Sequence, residues 1–285
     1  MQTRAIKSKI KSTQSIRKIT RTMEMVSVAK MKKALATAEG YKAFTLEAKR
    51  VLAILGEQRE KHPLQTPNDS HKKLLIVVGG QKGLCGGFNT NVYRKVYKYV
   101  KDNNQKVDFI CVGKYGEKIA KKFDSNESNV LASFNEKVFS VSSARVMTKT
   151  IVSAFLEGAY SNVDIIYTDF ETVNSQRVDL VHILPFNNQN IDNKDSFDGL
   201  EYSFEPNVVE VYDRAIKIII QNLIAGFVAR STAAEHAARM MAMKTATDNA
   251  GEMLGELKLW YNKVRQASIT QEIAEISSGA MAIAK

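Results

Sequence analysis

The chain has 285 residues, of which 44% are hydrophobic, and its formal net charge is +11. This length and apolar content can bury a core in one or two domains. The two cysteines, Cys85 and Cys111, are too few for a disulfide framework or a cysteine metal cluster. No apolar run is long enough to cross a bilayer, and we expect no secretory signal.

The first 33 residues are strongly basic, with ten lysines and arginines and one acid, Glu24. Three interpretations compete: an arm that binds nucleic acid, a mitochondrial targeting peptide, and a helix that faces an acidic partner protein. The segment contains no aromatic residue. Because an arm that binds nucleic acid should offer aromatic side chains for base stacking, the nucleic-acid interpretation is disfavoured.

All four prolines lie between residues 63 and 206, which leaves two long proline-free arms at 1–62 and 207–285. Apolar residues recur in both arms at the spacing of a narrow seam: Ile16, Ile19, Met23 and Val26; Val209, Tyr212, Ile216, Ile219 and Leu223; Leu254, Leu257, Tyr261 and Val264. A narrow seam is typical of a coiled coil. We therefore predict a long antiparallel coiled coil formed by the N- and C-terminal helices.

The second arm is long enough to test this prediction. As one helix it would extend roughly 118 Å, at about 1.5 Å per residue, which exceeds the width of a globule of this size. The alternative is a set of shorter helices broken at Gly226, Gly251 or Gly255, although a glycine costs a helix only about 1 kcal/mol. We favour one helix.

Small residues dominate the second arm between 229 and 251, where alanine and methionine replace the large aliphatics. Small side chains permit a close approach of two helices. The polar side chains of this stretch are then expected to reach outward: Arg230, Arg239, Lys244, Asp248 and Asn249. The tail from 276 to 284 carries no charge, which indicates burial in an apolar collar supplied by another protein.

The middle segment, 63–206, alternates strands and helices. Strands are predicted at 74–79, 107–113, 164–170 and 178–186, with an edge strand within 124–141; helices are predicted at 88–103, 116–123 and 144–160. A short turn joins the last two strands, which favours antiparallel pairing. The pattern predicts a small doubly wound, Rossmann-like α/β domain, followed by a polar loop at 187–199.

The stretch GGQKGLCGGFN, residues 79–89, lies between a predicted strand and a predicted helix, as phosphate-binding loops do. It lacks the lysine and hydroxyl residue that end a P-loop, and Gln81 replaces the first glycine of the dinucleotide fingerprint. Asp108 begins the second strand instead of ending it, so no ribose-binding carboxylate is evident. We interpret the glycines as a tight turn, and predict no catalytic residue, cofactor or metal.

Three segments of the chain carry extended motifs: residues 237–280, AARMMAMKTATDNAGEMLGELKLWYNKVRQASITQEIAEISSGA; residues 6–34; and residues 82–89, KGLCGGFN. In that order, they resemble the C-terminal signature, the N-terminal helix and the third motif of the F-type ATP synthase gamma subunit family. The family usually opens that loop with Ser-Asp and a basic residue, where Gly79, Gly80 and Gln81 precede Lys82 here. The resemblance makes the basic N-terminus part of the mature helix of a bacterial protein, not a targeting peptide.

The resemblance implies a rotor shaft that catalyses nothing itself. The two arms would run inside a hexamer of alternating alpha and beta subunits, and the α/β domain would lie near the epsilon subunit and the ring of c subunits, with delta in the wider complex. The chain would be peripheral at the cytoplasmic face of the bacterial inner membrane and would reach the membrane only through the c ring. The remaining alternative is a nucleotide-binding, Rossmann-like enzyme with coiled-coil arms.

The resemblance also implies roles for residues by their motif positions. Contacts with the beta subunit are expected from Arg17, Lys18, Arg21, Met23, Arg239, Gln266 and Thr270; the tip inside the bearing from Ile276, Ala280, Met281 and Ile283; and the face toward the c ring and epsilon from Tyr202, Phe204 and Glu205.

Overall fold

The computed structural model describes residues 2–56, 62–103, 106–123, 128–136, 138–186 and 204–283. Their elements are, in chain order, α1 Gln2–Gly56, β1 Lys73–Val78, α2 Phe88–Asp102, β2 Val107–Val112, α3 Lys114–Ala120, β3 Val130–Phe134, α4 Val141–Leu156, β4 Asn162–Phe170, β5 Gln176–Leu184 and α5 Val208–Ile283. The second arm thus forms one helix of 76 residues, which is not broken at its glycines. None of the described helices is both long and apolar enough to cross a membrane.

The described residues form a five-stranded sheet with the order β3-β2-β1-β4-β5. Strands β1 to β4 are parallel, and β5 pairs with β4 in the antiparallel direction. The prediction of a doubly wound α/β domain with an antiparallel edge is confirmed. The sequence of β1 is an almost continuous apolar run because the strand is central and both of its faces are covered.

Two apolar cores cover the two faces of the sheet. On one face, α4 and the first part of α5 pack against Leu74, Ile76 and Ile165. On the other face, α2 and α3 pack against Leu75 and Phe109. The first part of α5 is therefore a layer of the α/β fold as well as an arm of the chain.

The carboxyl ends of β1 and β2 meet the start of α3 with almost no space between their backbones. A Cβ atom on Gly79 would lie 2.2 Å from the Gly116 nitrogen, and one on Gly113 would lie 2.3 Å from the Gly79 carbonyl oxygen. Gly113 also has a φ of 80°, in the left-handed region that favours glycine. Glycine is needed at these positions for close packing.

The chain divides into two compact units: Val28–Ala238, and Met1–Ser27 together with Arg239–Lys285. The first, the sheet unit, contains the sheet and the adjoining parts of both terminal helices. The second, the helix-pair unit, contains the ends of α1 and α5. In it the two helices run antiparallel, because Thr13 lies opposite Met253 and Thr20 lies opposite Thr247.

In the helix-pair unit the seam of α1 differs from the predicted one. The buried side chains recur every seven residues: Ile6, Thr13, Thr20 and Ser27. The predicted seam residues Ile16, Ile19 and Val26 are 51%, 59% and 49% exposed, so that prediction is wrong. On α5 the predicted seam is confirmed at Leu254 and Leu257, which are buried.

Hydroxyl groups explain why this seam is polar in sequence. The Thr13 and Ser27 hydroxyls donate to the carbonyls of Lys9 and Met23, at 2.9 and 2.7 Å. A small side chain whose polar atom bonds its own helix can be buried without losing a hydrogen bond. The two helices can then approach closely, and the larger aliphatic residues of α1 remain on its outer side.

In the sheet unit the stripe of α5 is wider than the predicted seam. Tyr212, Ile216 and Ile219 are buried as predicted, but so are Ile220 and Ile224. Val209, assigned to the seam, is 52% exposed. A wide apolar stripe is needed here because the helix covers the face of a sheet, not only a second helix.

Candidate functional site

Two backbone N–H groups of the loop at residues 79–89 donate hydrogen bonds to side chains of the same chain. The Gly80 N–H donates to Asn89 Oδ1 at 2.9 Å, and the Gln81 N–H donates to Glu235 Oε2 at 3.1 Å. Glu235 lies on α5 and is 5% exposed. A buried carboxylate of α5 therefore occupies a position at this loop that an anionic ligand would take in a phosphate-binding protein.

A segment of α5, residues 227–235, covers the carboxyl ends of β1 and β4. Phe227 packs against Tyr167, with ring centroids 4.6 Å apart. The Ser231 hydroxyl accepts from the Thr168 N–H at 3.3 Å. In open α/β sheets, ligands bind outside the carboxyl ends of the strands, where the strand order reverses. We call residues 227–235 the crevice segment, because they lie at this position.

An ion pair joins the crevice segment to the end of β4. The Arg230 guanidinium donates to Asp169 Oδ2 at 2.9 Å, and its Nε also contacts Oδ1. Burial raises the pKa of the Asp169 carboxyl, and the positive charge of Arg230 opposes that rise. Burial, with Asp169 nearby, raises the pKa of Tyr167 to about 12. Arg230 thus stabilises a charged carboxylate at a largely enclosed position.

Two buried aspartates lie near the amino ends of β2 and β4, at the end of these strands that is opposite the crevice. Asp108 accepts from the Tyr160 hydroxyl at 2.7 Å and pairs with Lys72 at 2.9 Å. Asp164 accepts from the Tyr99 hydroxyl and also contacts His182. Both aspartates lie near the amino ends of their strands, away from the crevice, and each has polar partners among neighbouring side chains.

A groove between α2 and the turn from β4 to β5 has a volume of about 560 Å³. Arg94, Lys98 and Arg177 are among its lining residues, and Val178 is its apolar member. Small-molecule sites are usually lined mainly by apolar side chains.

Across the described ranges, no group of three or more His, Cys, Asp or Glu side chains is placed to hold a metal ion.

The residues expected to contact a beta subunit are differently exposed. Arg17, Lys18, Gln266 and Thr270 are exposed, Met23 is half-buried, and Arg21 is exposed with a loose 3.9 Å contact to Glu24. Arg239 is 5% exposed, so the prediction that it reaches outward is wrong. Arg230 turns toward Asp169 and does not reach outward either, whereas Lys244, Asp248 and Asn249 are exposed as predicted.

The expected tip is the end of α5. Side chains are exposed from 271 to 280, with Ile276 at 73% and Ala280 also exposed. Met281 and Ile283 continue the helix, but their side chains lie outside the described ones. Of the expected foot residues, Phe204 is half-buried and Glu205 is exposed, whereas Tyr202 and the predicted polar loop at 187–199 lie outside the described residues.

Comparison with known proteins agrees with the two long helices and the doubly wound sheet. A family model described as ATP synthase matches residues 2–283. The ATP synthase gamma chain of Xanthomonas axonopodis pv. citri is 33% identical over 286 residues, which cover 98% of this chain and 99% of the relative. The gamma chain of Acidovorax sp. (strain JS42) is 34% identical and covers 98% of each chain.

The chain belongs to the ATP synthase gamma chain family. Solved structures share the fold. A chain of the Euglena gracilis mitochondrial ATP synthase matches 99% of this chain and 94% of its own length, with a TM-score of 0.65 and 17% identity. A chain of the Tetrahymena thermophila mitochondrial ATP synthase, from its central stalk and c-ring, covers 80% of this chain at 22% identity, with a TM-score of 0.59. The family resemblance predicted from the sequence is confirmed.

Membership of the gamma chain family decides between the two functions considered for the loop and the crevice. The position of the loop between a strand and a helix left a nucleotide-binding enzyme as the alternative, and the comparisons favour the gamma chain and not that alternative. Sequence reasoning missed Glu235, Arg230 and Ser231 as partners of the sheet. The sequence did contain one signal. These charged and hydroxyl residues lie among alanines, in a stretch whose side chains are too small to form a wide apolar stripe.

Proposed function

We propose that this chain is the rotor of an ATP synthase. In this proposal α1 and α5 form the shaft that turns inside a hexamer of alpha and beta subunits, and the sheet unit is the foot that engages the epsilon subunit and the c ring. The observation that carries the proposal is α5, an unbroken helix of 76 residues in a chain that matches gamma chains over nearly its whole length. Residues 1–62, 63–206 and 207–285 would be the first shaft helix, the foot and the second shaft helix.

The chain performs mechanical coupling and no bond chemistry of its own. Turning an asymmetric shaft presents each beta subunit with a different set of contacts in succession. A contact biases a partner's conformational equilibrium only when it is stronger in one of its states than in another. Rotation driven by the c ring would thereby move each beta subunit through its states, and hydrolysis would drive the reverse rotation.

Exposed cations on α1 support the proposed contacts with beta. Arg17, Lys18 and Arg21 are exposed near the aliphatic residues Ile16 and Ile19, which are also exposed. An acidic surface of a moving partner could meet both the charges and the apolar side chains. Met23, Gln266 and Thr270 complete this proposed contact set; Arg239 also belongs to it, although its side chain is buried in the isolated chain.

The proposed tip and foot follow from the ends of α5. Ile276 and Ala280, with Met281 and Ile283, would enter an apolar bearing at the top of the hexamer, because a run of small and apolar side chains ends the helix. Phe204 and Glu205, with Tyr202, would face the c ring and epsilon. The chain would then lie at the cytoplasmic face of a bacterial inner membrane.

The test is co-purification with a tagged beta subunit, followed by measurements on inverted membrane vesicles that contain the complex. Neutralising Arg17, Lys18 and Arg21 to glutamine should lower ATP-driven proton pumping more than ATP hydrolysis. Unchanged pumping per ATP, with both rates falling together, would contradict the role of these cations. Micromolar binding of ATP or NAD to the purified chain in calorimetry would instead favour the nucleotide-binding alternative.

A further inference from the structure

We infer that Arg230, Ser231 and Glu235 form a clamp that locks α5 to the sheet and carries torque between the foot and the shaft helix. This inference rests on the proposed rotor function. The clamp consists of three contacts: Arg230 with Asp169, Ser231 with the Thr168 N–H, and Glu235 with the Gln81 N–H. All three join α5 to the crevice of the sheet.

The angular positions of these residues show how the clamp resists rotation. Successive residues of an α-helix are offset by about 100°. Relative to Arg230, Ser231 then lies at about 100° and Glu235 at about 140° around the helix. The apolar contacts of Phe227 and Ala234 lie between these limits, at about 60° and 40°. Polar contacts thus lie on either side of the apolar contacts of Phe227 and Ala234.

A joint that transmits torque requires contacts with a preferred geometry, because such contacts resist rotation of the helix. The hydrophobic driving force is non-directional, so it favours contact of α5 with the sheet without selecting one rotational angle by itself. A hydrogen bond weakens steeply when its angle is distorted. Rotation of α5 in either direction displaces both Arg230 and Glu235 relative to their partners and distorts these contacts. The clamp therefore opposes rotation in both directions.

The clamp is anchored on two different strands. Arg230 binds the end of β4, and Glu235 binds the loop that follows β1, so a load on α5 is shared by two adjacent strands of the sheet. Ser231 is 1% exposed and Glu235 is 5% exposed, and hydrogen bonds shielded from water are stronger than exposed ones.

The loop also leaves space for the Glu235 carboxylate. A Cβ atom on Gly80 would lie 3.3 Å from Glu235 Cδ, a distance tighter than most side-chain contacts. Glycine at position 80 therefore allows the carboxylate to lie against the loop backbone. The glycine-rich sequence and the glutamate on α5 act together, although they are far apart in the chain.

The experiment compares an ion pair that joins α5 to the sheet with one that lies within α5. Arg230→Ala removes the pair with Asp169, whereas the control Lys217→Ala removes the pair with Asp213, whose atoms are 2.7 Å apart on the same helix. Each variant is incorporated into the complete complex in inverted vesicles. ATP hydrolysis and ATP-driven proton pumping are measured on the same vesicles.

The expected result is a loss of protons pumped per ATP of about twofold or more for Arg230→Ala and Glu235→Ala, because each removes a contact that joins α5 to the sheet. Glu235→Gln keeps an oxygen that can accept from the Gln81 N–H and should retain most of the coupling. Lys217→Ala should couple like the wild type. In the swapped variant, Asp169→Arg with Arg230→Asp, coupling should recover relative to Arg230→Ala.

Several results would overturn the inference. One is wild-type coupling in Arg230→Ala and Glu235→Ala complexes that assemble fully. Another is failure of Arg230→Ala, Glu235→Ala and the swapped variant to assemble while Lys217→Ala assembles, since the contacts would then serve folding alone. Absence of rotation-coupled pumping with the wild-type chain would instead contradict the proposed rotor function, so the two failures are distinguishable.

Discussion

The two halves of α5 solve different packing problems with one continuous helix. In the sheet unit, the half that precedes residue 239 buries a wide face that includes Ile216, Ile220 and Ile224. In the helix-pair unit, the later half buries a narrow line that includes Thr247, Leu254 and Leu257. The wide face fixes the helix in the fold, and the narrow line leaves most of the circumference available. Anchoring and exposure are therefore separated along one element.

The largest effect should come from a cavity in the wide face. Ile216 is fully buried, and Ile216→Ala should lower the free energy of unfolding by about 3 kcal/mol, because it removes packed methyl groups and leaves a cavity. Leu257→Ala in the narrow line should cost less, since a two-helix seam can relax around the gap. Urea unfolding of the two purified variants checks this order. An equal loss at both sites would break the distinction between the two halves.

A smaller effect is expected from the buried hydroxyls of the helix pair. Thr20 donates to the Arg17 carbonyl at 3.1 Å and accepts from Thr247 at 2.8 Å. A double-mutant cycle with Thr20→Val and Thr247→Val should give a coupling energy of about 1 kcal/mol, the usual net value of one hydrogen bond.

The matched cycle pairs Thr13→Val with Met253→Leu, whose wild-type hydroxyl and sulfur lie 3.9 Å apart. The Thr13 hydroxyl already donates its proton to the Lys9 carbonyl, and a thioether is a weak acceptor, so this second coupling should be clearly smaller. If both cycles gave equal values in thermal unfolding monitored by circular dichroism, hydrogen bonding would not distinguish these seam positions.

A still smaller change in stability is expected on the outer side of α1. Ile19 is 59% exposed, and Ile19→Ser should change the free energy of unfolding by less than about 0.5 kcal/mol. The same variant should weaken capture by a tagged beta subunit, because the proposed contact surface loses an apolar side chain. Thr22→Ser, at another exposed position of α1, is the control. A large loss of stability in Ile19→Ser would show that Ile19 is buried after all.

The smallest effect concerns acid stability within the sheet unit. Hydrogen bonds from Lys121, Asn135 and Ser133 lower the pKa of Glu117 to about 2. A lowered pKa in the folded state contributes stability above the ordinary value of 4.5, and this contribution is lost as the pH falls from there to about 2. Glu117→Gln should therefore flatten the fall of Tm across this window. A slope identical to that of the wild type would contradict the assignment; Glu157→Gln, an exposed site on α4's end, is the control.

Local sequence signals were sufficient for most of the fold. The apolar run of β1, the short turn between β4 and β5, and the proline-free second arm each predicted an element that the structure contains. These signals work because central strands, antiparallel pairs and long helices each impose a periodicity or a composition on neighbouring residues.

The seam of α1 could not be found from apolar residues alone. Ile16, Ile19 and Val26 have the right spacing, but the seam uses Thr13, Thr20 and other small side chains every seventh residue. Which of two stripes faces the partner helix depends on how closely the helices approach. That distance is set by the alanines, threonines and serines of both helices together, so a single arm does not determine it.

The crevice could not be predicted because its contacts are distant in sequence. Gln81 and Glu235 are 154 residues apart, and Arg230 and Asp169 are 61 residues apart. The loop sequence indicated a tight turn, and Gly86 adopts a φ of 55°. The identity of the group that meets the loop is a tertiary property, so the sequence of the loop could not supply it.

The position of Glu235 has a consequence for what occupies the crevice of the sheet. In many proteins of this architecture, the crevice lets the sheet report the concentration of a metabolite, because occupancy changes when the ligand leaves. Here the occupant is covalently part of the chain, so its local concentration never varies with the contents of the cell. The position beside the Gln81 N–H is therefore filled by a side chain of α5, whose presence there does not depend on the concentration of a ligand.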